Sequence, residues 1–282
     1  MQNQPVINQQ PGYAPQQANP VQQFQMQPTI TTQPGAFVQP APGAVWMPLP
    51  PAIQGVPTGL EYLTYLDMIM VHQIKELIEI VTDWETKNKY VLKNANGEQC
   101  YYAFEESGCC ERQCCGPNRG FVMHVVDNFK RFKCCGGGCY GCFACVGCCQ
   151  QECVVETPSM GVLGIIRQRC GFMSSNYDVC DGDGNVIFQI DGPCCCMLCG
   201  CQDKEFPIKT ANNGTVVGAI TKKWGGCFRE AFTDADTFAV NFPGDLDVKL
   251  KGVLLGATFL IDFMEFEQQS QNRNNGGVTV DC

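Results

Sequence analysis

The sequence predicts a mainly β domain, an antiparallel sheet closed into a barrel or a sandwich, between a Pro-rich tail and an apolar C-terminal helix. Three observations support this prediction. Residues 1–57 hold 12 of the 17 prolines and no charged side chain. The central part repeats strand–turn–strand units around Asn-Gly and Asp-Gly dipeptides, and residues 252–261 form one uncharged, mostly apolar run.

Composition excludes several classes of protein. The chain has 282 residues and a net charge of −9, so it lacks the clustered Lys and Arg of a general nucleic-acid binder. His72 and His124 are the only histidines, and no phosphate-binding loop, nucleophile elbow or H-E-x-x-H zinc motif occurs. The sequence therefore predicts a non-enzymatic protein. Its start has no basic region followed by an apolar one, so we expect no signal peptide and reduced cysteines.

The two ends of the chain have the composition of unstructured segments. Residues 1–57 are rich in Gln and Pro, and residues 268–282 form a short polar tail. Such segments bury too little apolar surface to offset the entropy of ordering, so we expect both to be disordered. Pro48 and Pro51 make a PxxP spacing that fits an SH3-type groove, although a solvated tail also explains the motif.

An amphipathic helix is predicted where the tail ends. Thr58 and Glu61 have the spacing of a capping box. Apolar residues then recur at near-helical spacing, at Leu60, Leu63, Leu66, Ile69, Ile74, Leu77 and Val81. We expect this helix to pack on the core of a domain that covers residues 58–267.

The period then changes to two, which is typical of strands. Three hairpins are predicted, pairing residues 90–95 with 100–104, 176–179 with 186–190, and 206–210 with 216–220. Short strands around residues 121–126 and 162–169 fill the intervals. Strands connected without long helices indicate an antiparallel sheet.

A C-terminal helix is predicted over residues 248–266. Its apolar positions include Leu254, Leu255, Phe259, Leu260 and Ile261. The ten uncharged residues 252–261 would span roughly 15 Å as a helix, about half of a bilayer core. A buried central helix therefore ranks ahead of a membrane-inserting helix in a thinned bilayer.

Residues 234–245 form an acidic window with two interpretations. Carboxylates stand at positions 1, 3 and 12 of this window, as Asp234, Asp236 and Asp245. Positions 5, 7 and 9 are Phe238, Val240 and Phe242, which offer only backbone carbonyls to Ca²⁺. Because these three residues also alternate as in a strand, the window is either a Ca²⁺ site or a strand flanked by acidic turns.

A dense cysteine run precedes residue 150. Cys139, Cys142, Cys145, Cys148 and Cys149 have spacings compatible with an iron–sulfur cluster, with part of a zinc site, or with thioester acylation of a membrane-facing loop. Further along, Lys222, Lys223 and Trp224 form a small basic–aromatic cluster, a composition also typical of a solvated turn.

Several blocks of the sequence resemble the phospholipid scramblase family. The resemblance is carried at the C-terminal end by residues 229–238, 242–249 and 259–264, and in the front half by residues 59–63, 88–90 and 114–119. It covers about residues 59–267, and its blocks occur in the family's order.

The resemblance implies a tubby-like barrel of about twelve strands around the C-terminal helix. It further implies Ca²⁺-activated, ATP-independent, bidirectional movement of membrane phospholipids, with Ca²⁺ at residues 234–245. The family's palmitoylated cluster falls on Cys145, Cys148 and Cys149, with Cys142 beside it, which implies attachment to the cytoplasmic face of the plasma membrane.

The resemblance also places a nuclear-import segment on residues 218–224, including Lys222, Lys223 and Trp224, which implies a nuclear location for unacylated protein. Self-association and SH3-domain partners are compatible with the sequence. A second class of function stays open, in which a palmitoylated adaptor with a Pro-rich tail moves no lipid.

Overall fold

The computed structural model describes residues 45–74, 88–106, 120–127, 151–169, 174–194, 202–225 and 236–267. The predicted acylation sites Cys142, Cys145, Cys148 and Cys149, and Asp234 of the acidic window, lie outside these ranges. The structural statements below concern the described residues.

Eleven strands form one sheet in which every neighbouring pair is antiparallel. They are β1 Met68–Gln73, β2 Lys89–Lys93, β3 Gln99–Glu106, β4 Val122–Val126, β5 Glu152–Thr157, β6 Gly161–Arg169, β7 Ser174–Asp181, β8 Val186–Cys194, β9 Lys204–Thr210, β10 Val216–Lys222 and β11 Thr237–Asn241. Their order across the sheet is β4-β3-β2-β1-β11-β10-β9-β8-β7-β6-β5.

The three predicted hairpins are confirmed. They correspond to the pairs β2–β3, β7–β8 and β9–β10. Gly97, Gly184 and Gly214 occupy the three turns with φ of 82°, 87° and 70°, a backbone conformation that glycine adopts without steric cost. The dipeptides that signalled these turns in the sequence therefore have the expected structural role.

The predicted N-terminal amphipathic helix is wrong. The described part of this segment, residues 58–74, forms a 3-10 helix, Glu61–Tyr65, and then β1 from Met68, whereas Leu77 and Val81 lie outside the described residues. The N-cap of this 3-10 helix is Leu60, without a side-chain capping hydrogen bond, so the expected cap at Thr58 does not form. Glu61 instead accepts a hydrogen bond from the backbone N–H of Gly59 at 2.7 Å. Ile69 and Val71 are fully buried between β2 and β11, where β-branched side chains pack well.

A helix lies against the concave side of the sheet. It consists of α1, Val248–Ile261, and a continuing π-helical turn, Asp262–Glu267. α1 contacts β5, β6, β7, β11 and the 3-10 helix. Aromatic pairs extend the contacts: Phe259 meets Tyr90 of β2 at 5.1 Å between ring centroids, and Phe266 meets Phe206 of β9 at 6.2 Å. Strands from both halves of the sheet therefore surround one helix.

The mainly β class and the C-terminal helix are confirmed, whereas closure of the barrel stays a prediction. β4 and β5 stand at the two ends of the strand order, and no described residue pairs one with the other. The connection between them, residues 128–150, lies outside the described residues. The described sheet thus has eleven strands, where the resemblance implied about twelve.

The last part of the Pro-rich segment contacts the sheet. Met47 N–H donates to the carbonyl of Gln99 at 2.9 Å, and Gln99 N–H donates to the carbonyl of Val45 at 2.8 Å. These bonds hold residues 45–47 beside the start of β3. Pro48 and Pro51, which follow directly, are both exposed.

Candidate functional site at the two ends of the central helix

The middle of the central helix is apolar and buried. All five apolar residues predicted for it are at most 2% exposed, namely Leu254, Leu255, Phe259, Leu260 and Ile261. Gly164 of β6 permits the close approach of this helix, since a Cβ there would lie 2.8 Å from a methyl carbon of Val253. Among the described helices, none has the length and apolar character needed to cross a membrane.

The N-terminal end of α1 is fixed by polar contacts. Asp247 caps the helix, because its carboxylate accepts the N–H of Lys249 at 2.7 Å. Lys251, with 0% exposure, donates to the carbonyls of Leu63, Leu66 and Gly244 at 3.0, 2.7 and 2.9 Å.

The ammonium of Lys251 is therefore buried with one carbonyl acceptor for each of its three donors. Burial lowers its pKa, while the carboxylates of Asp67 and Asp245 act in the opposite direction. This lysine joins the helix to the segment before β1 and to the segment after β11.

The C-terminal end of the helix carries carboxylates that point at sheet residues. Tyr90 OH donates to Asp262 at 2.5 Å, and Tyr177 OH donates to Glu265 at 2.8 Å. Tyr90 lies on β2 and Tyr177 on β7, so the turn is held from two separated strands. π-helical turns are rare and occur often at functional sites, which directs attention to this end.

Asp236 completes this end from the start of β11. Its carboxylate pairs with Lys222 of β10 at 2.7 Å and lies beside the carboxyl of Asp262. Lys222 also lies 3.8 Å from the ring centroid of Phe266, a cation–π contact. We refer to Asp236, Lys222, Asp262 and Phe266 as the Asp236 cluster.

The environment of Asp262 favours its neutral form. Burial, and after it the charge of Asp236, raise the pKa of Asp262 to about 7, although Lys222 and the hydrogen bond from Tyr90 act in the opposite direction. Burial also raises the pKa of Tyr90 well above its usual value. This end of the helix therefore holds a proton on Asp262 in mildly acidic solution.

The raised pKa of Asp262 predicts that stability falls as pH rises from about 4 to 7. In this window the unfolded chain releases the proton of Asp262 while the folded chain keeps it, so folding loses about 1.4 kcal/mol per pH unit from this group. Urea unfolding of wild type and Asp262→Asn across this range measures the effect. The amide copies the neutral acid, so the difference in unfolding free energy between the two proteins should change with pH. A difference that is independent of pH would contradict the prediction.

The structure separates the carboxylates of the acidic window. Asp236 lies before β11 beside Asp262, whereas Asp245 is exposed after β11, at the end where Lys251 lies. Eleven residues separate Lys251 from Asp262, which is about 16 Å along a helix. Ca²⁺ ligands lie 2.3–2.6 Å from the ion, so Asp236 and Asp245 do not fit one ion.

The aromatic and aliphatic positions of the window support the alternative interpretation, a strand flanked by acidic turns. Phe238 and Val240 are fully buried on β11, and Phe242 is 4% exposed. The residues paired with Phe238 and Val240 on β1 are Val71 and Ile69, so their carbonyls face a hydrogen-bonded ladder. No group of three or more His, Cys, Asp or Glu side chains suited to a metal occurs among the described residues.

The predicted import-like residues divide between interior and surface. Lys222 belongs to the Asp236 cluster and is 20% exposed. Lys223 pairs with Asp203 at 2.8 Å, and the N–H of Trp224 donates to the same carboxylate at 2.9 Å. The three side chains therefore do not present one continuous basic surface.

Sequence reasoning did not identify Lys251, Tyr90, Tyr177 and Glu265 as parts of a site. One available signal was the pair of charges, Lys251 and Asp262, that bounds the apolar run. Charges at the two ends of a buried helix need partners from the surrounding sheet. The tyrosine partners lie far away in sequence and carried no local signal.

Comparison with known proteins gives a consistent result. A family model described as Scramblase matches residues 47–268. Phospholipid scramblase 1 of Homo sapiens is 40% identical over 249 residues, which cover 84% of this chain and 75% of the relative. Phospholipid scramblase 2 of Bos taurus is 41% identical over 249 residues, covering 84% and 80%. Phospholipid scramblase 4 of Homo sapiens is 33% identical over 277 residues, covering 93% and 82%. No solved structure matches.

Proposed function

The chain belongs to the scramblase family, and from that premise we propose that it moves phospholipids between the two leaflets of a membrane. The observation that carries this proposal is the family match over residues 47–268, which includes all eleven described strands and the central helix. The relatives that cover most of the chain are named phospholipid scramblases.

The finer proposal is a calcium-activated movement that consumes no ATP. Its support is the resemblance of residues 229–264 to the family and the lack of a phosphate-binding loop motif in the sequence. The residues that respond to Ca²⁺ are not assigned to one loop, because Asp236 and Asp245 do not fit a common ion.

Packing limits the route that a lipid could take. Side chains of α1 fill the concave side of the sheet, and Leu254, Leu255 and Phe259 are buried there. A phospholipid headgroup therefore has no path through this part of the described core. We place lipid movement at the outer surface of the domain or between associated copies, with the core as a rigid support.

Membrane attachment is proposed to use thioesters at Cys145, Cys148 and Cys149, with Cys142 as a further site. Several acyl chains anchor a protein stably, whereas one does not. Replacing all four cysteines by Ala should release the protein from the plasma membrane, so that it appears in the soluble or nuclear fraction of cells. Hydroxylamine release of the lipid checks the chemistry. Stoichiometric zinc or iron in the purified protein would instead favour a metal site.

Reconstitution tests the proposed function directly. Purified full-length protein is placed in liposomes with a fluorescent phospholipid, and a membrane-impermeant quencher reports the outer leaflet. We expect the quenched fraction to rise with protein density after Ca²⁺ addition and without ATP. Leaflet exchange that is independent of Ca²⁺ would contradict only the proposed calcium activation and would agree with the proposed movement of phospholipids.

The second candidate function is a membrane-anchored adaptor. It is favoured by the filled core and by the exposed Pro48 and Pro51 next to the domain. No leaflet exchange at any protein density, together with SH3-domain binding that is lost in a Pro48→Ala, Pro51→Ala protein, would support the adaptor. The same SH3-binding measurement also tests the predicted SH3 partners.

A further inference from the structure

We infer that Asp236 and Asp245 do not act together at one cation, and that Asp236 instead positions the C-terminal end of the central helix. This inference goes beyond the proposed lipid movement. It places the two described carboxylates of the acidic window, Asp236 and Asp245, at two separate ends of the fold and not in a single binding loop.

The length of β11 keeps the two carboxylates apart. Asp236 precedes this five-residue strand and Asp245 follows it by four residues. A strand advances about 3.3 Å per residue, so Asp236 and the last residue of β11, Asn241, are about 17 Å apart. The register with β1, from Met68–Asn241 to His72–Thr237, shows that the strand is continuously paired over this length.

The carboxylate of Asp236 already has partners. Lys222 lies 2.7 Å from one oxygen, and the Asp262 carboxyl lies beside the same side chain. The backbone of Asp236 is fixed as well, because its carbonyl accepts the N–H of Gln73 at 2.8 Å. A cation at Asp236 would have to displace an ammonium that is itself held over the Phe266 ring.

The Asp236 cluster holds the π-helical turn in place. Asp262 begins the π-helical turn and Phe266 lies near its end, so β10 and β11 contact the turn at both positions. The Phe266 ring is also packed against Phe238 of β11 at 5.7 Å. Asp236 is thus a positioning residue for the turn, acting through Lys222 and Asp262.

Double-mutant cycles test the separation without any ligand. Asp236→Asn combined with Lys222→Gln should be non-additive by roughly 2- to 150-fold in the unfolding equilibrium constant, as expected for side chains in contact. Asp236→Asn combined with Asp245→Asn should be additive. Additivity in the first cycle, or clear coupling in the second, would overturn the inference.

Calcium titration calorimetry on the full chain supplies the second readout. Two carboxylates on one ion would make Asp236→Asn and Asp245→Asn each weaken Ca²⁺ binding, with the double variant little worse than either. We expect that Asp236→Asn and Asp245→Asn do not both weaken Ca²⁺ binding. Asp245→Asn is an exposed substitution that leaves the core untouched. Glu205→Gln serves as a matched carboxylate control.

The outcomes remain distinguishable from those of the proposed function. Parallel loss of binding in the two single variants would overturn the inference, even if leaflet exchange is observed. A wild type that binds no Ca²⁺ would remove the calcium part of the proposed function, while agreeing with the inference that the two carboxylates share no ion. The unfolding cycles then decide the role of Asp236.

Discussion

Arginine at position 255 is expected to unfold the domain. Leu255 lies on the central helix with 1% exposure, among apolar side chains that offer no partner for a guanidinium. An unpaired buried charge costs several kcal/mol, which is comparable with the roughly 5–15 kcal/mol stability of a whole domain. Phe259→Arg should act in the same way, because its ring is packed against Tyr90. Circular dichroism and gel filtration of the purified variants measure the loss of fold.

A matched control separates burial from the charge itself. Val216 is 56% exposed at a hairpin, so Val216→Arg should leave the unfolding midpoint nearly unchanged. A Leu255→Arg protein that stays folded and soluble would contradict a buried central helix and would favour a peripheral membrane helix. Precipitation of both variants would point to the added charge and not to its position.

Lys251→Met is expected to have the second largest effect on stability. The change keeps most of the side-chain volume but removes the ammonium that donates to Leu63, Leu66 and Gly244. Buried carbonyls left without donors cost about 1–3 kcal/mol each, with some relief from rearrangement. We expect a loss of about 3–5 kcal/mol in the free energy of unfolding, measured by urea denaturation.

Lys249→Met is the control on the same helix. Lys249 is half-buried, and its backbone N–H donates to Asp247, a hydrogen bond that the substitution retains. Its effect should stay within the usual range of about 0.5 kcal/mol for surface changes. Equal effects of the two substitutions would show that the three carbonyls find other donors, and that Lys251 does not join the segments around the helix.

Local signals predicted the hairpins and the helix well. Asn-Gly and Asp-Gly turns, with alternating residues on both sides, determine pairing between strands that are adjacent in sequence. The run 252–261 predicted a buried helix because a segment that is apolar on all sides needs packing on all sides. β5, Glu152–Thr157, has no counterpart among the predicted strands.

The segment at β1 shows where local reasoning fails. Apolar residues 60, 63, 66 and 69 follow a helical period, and a capping box could precede them. The chain nevertheless forms a strand from Met68, because β1 fills the position between β2 and β11 in the sheet. Partners more than 160 residues away decide this structure, as the register of Val71 with Phe238 shows.

The acidic window shows, for the candidate site, the same difference between local sequence signals and contacts made by distant residues. Local sequence was sufficient to predict the order of tail, hairpins and apolar helix, the family, and the acidic residues on both sides of Phe238–Phe242. The contacts of Asp236 with Lys222 and Asp262, and the place of Asp245 at the other end of the helix, were visible only once the fold was known. The physical reason is that local sequence sets turns and periodicity, whereas contacts between distant residues depend on strand order and register.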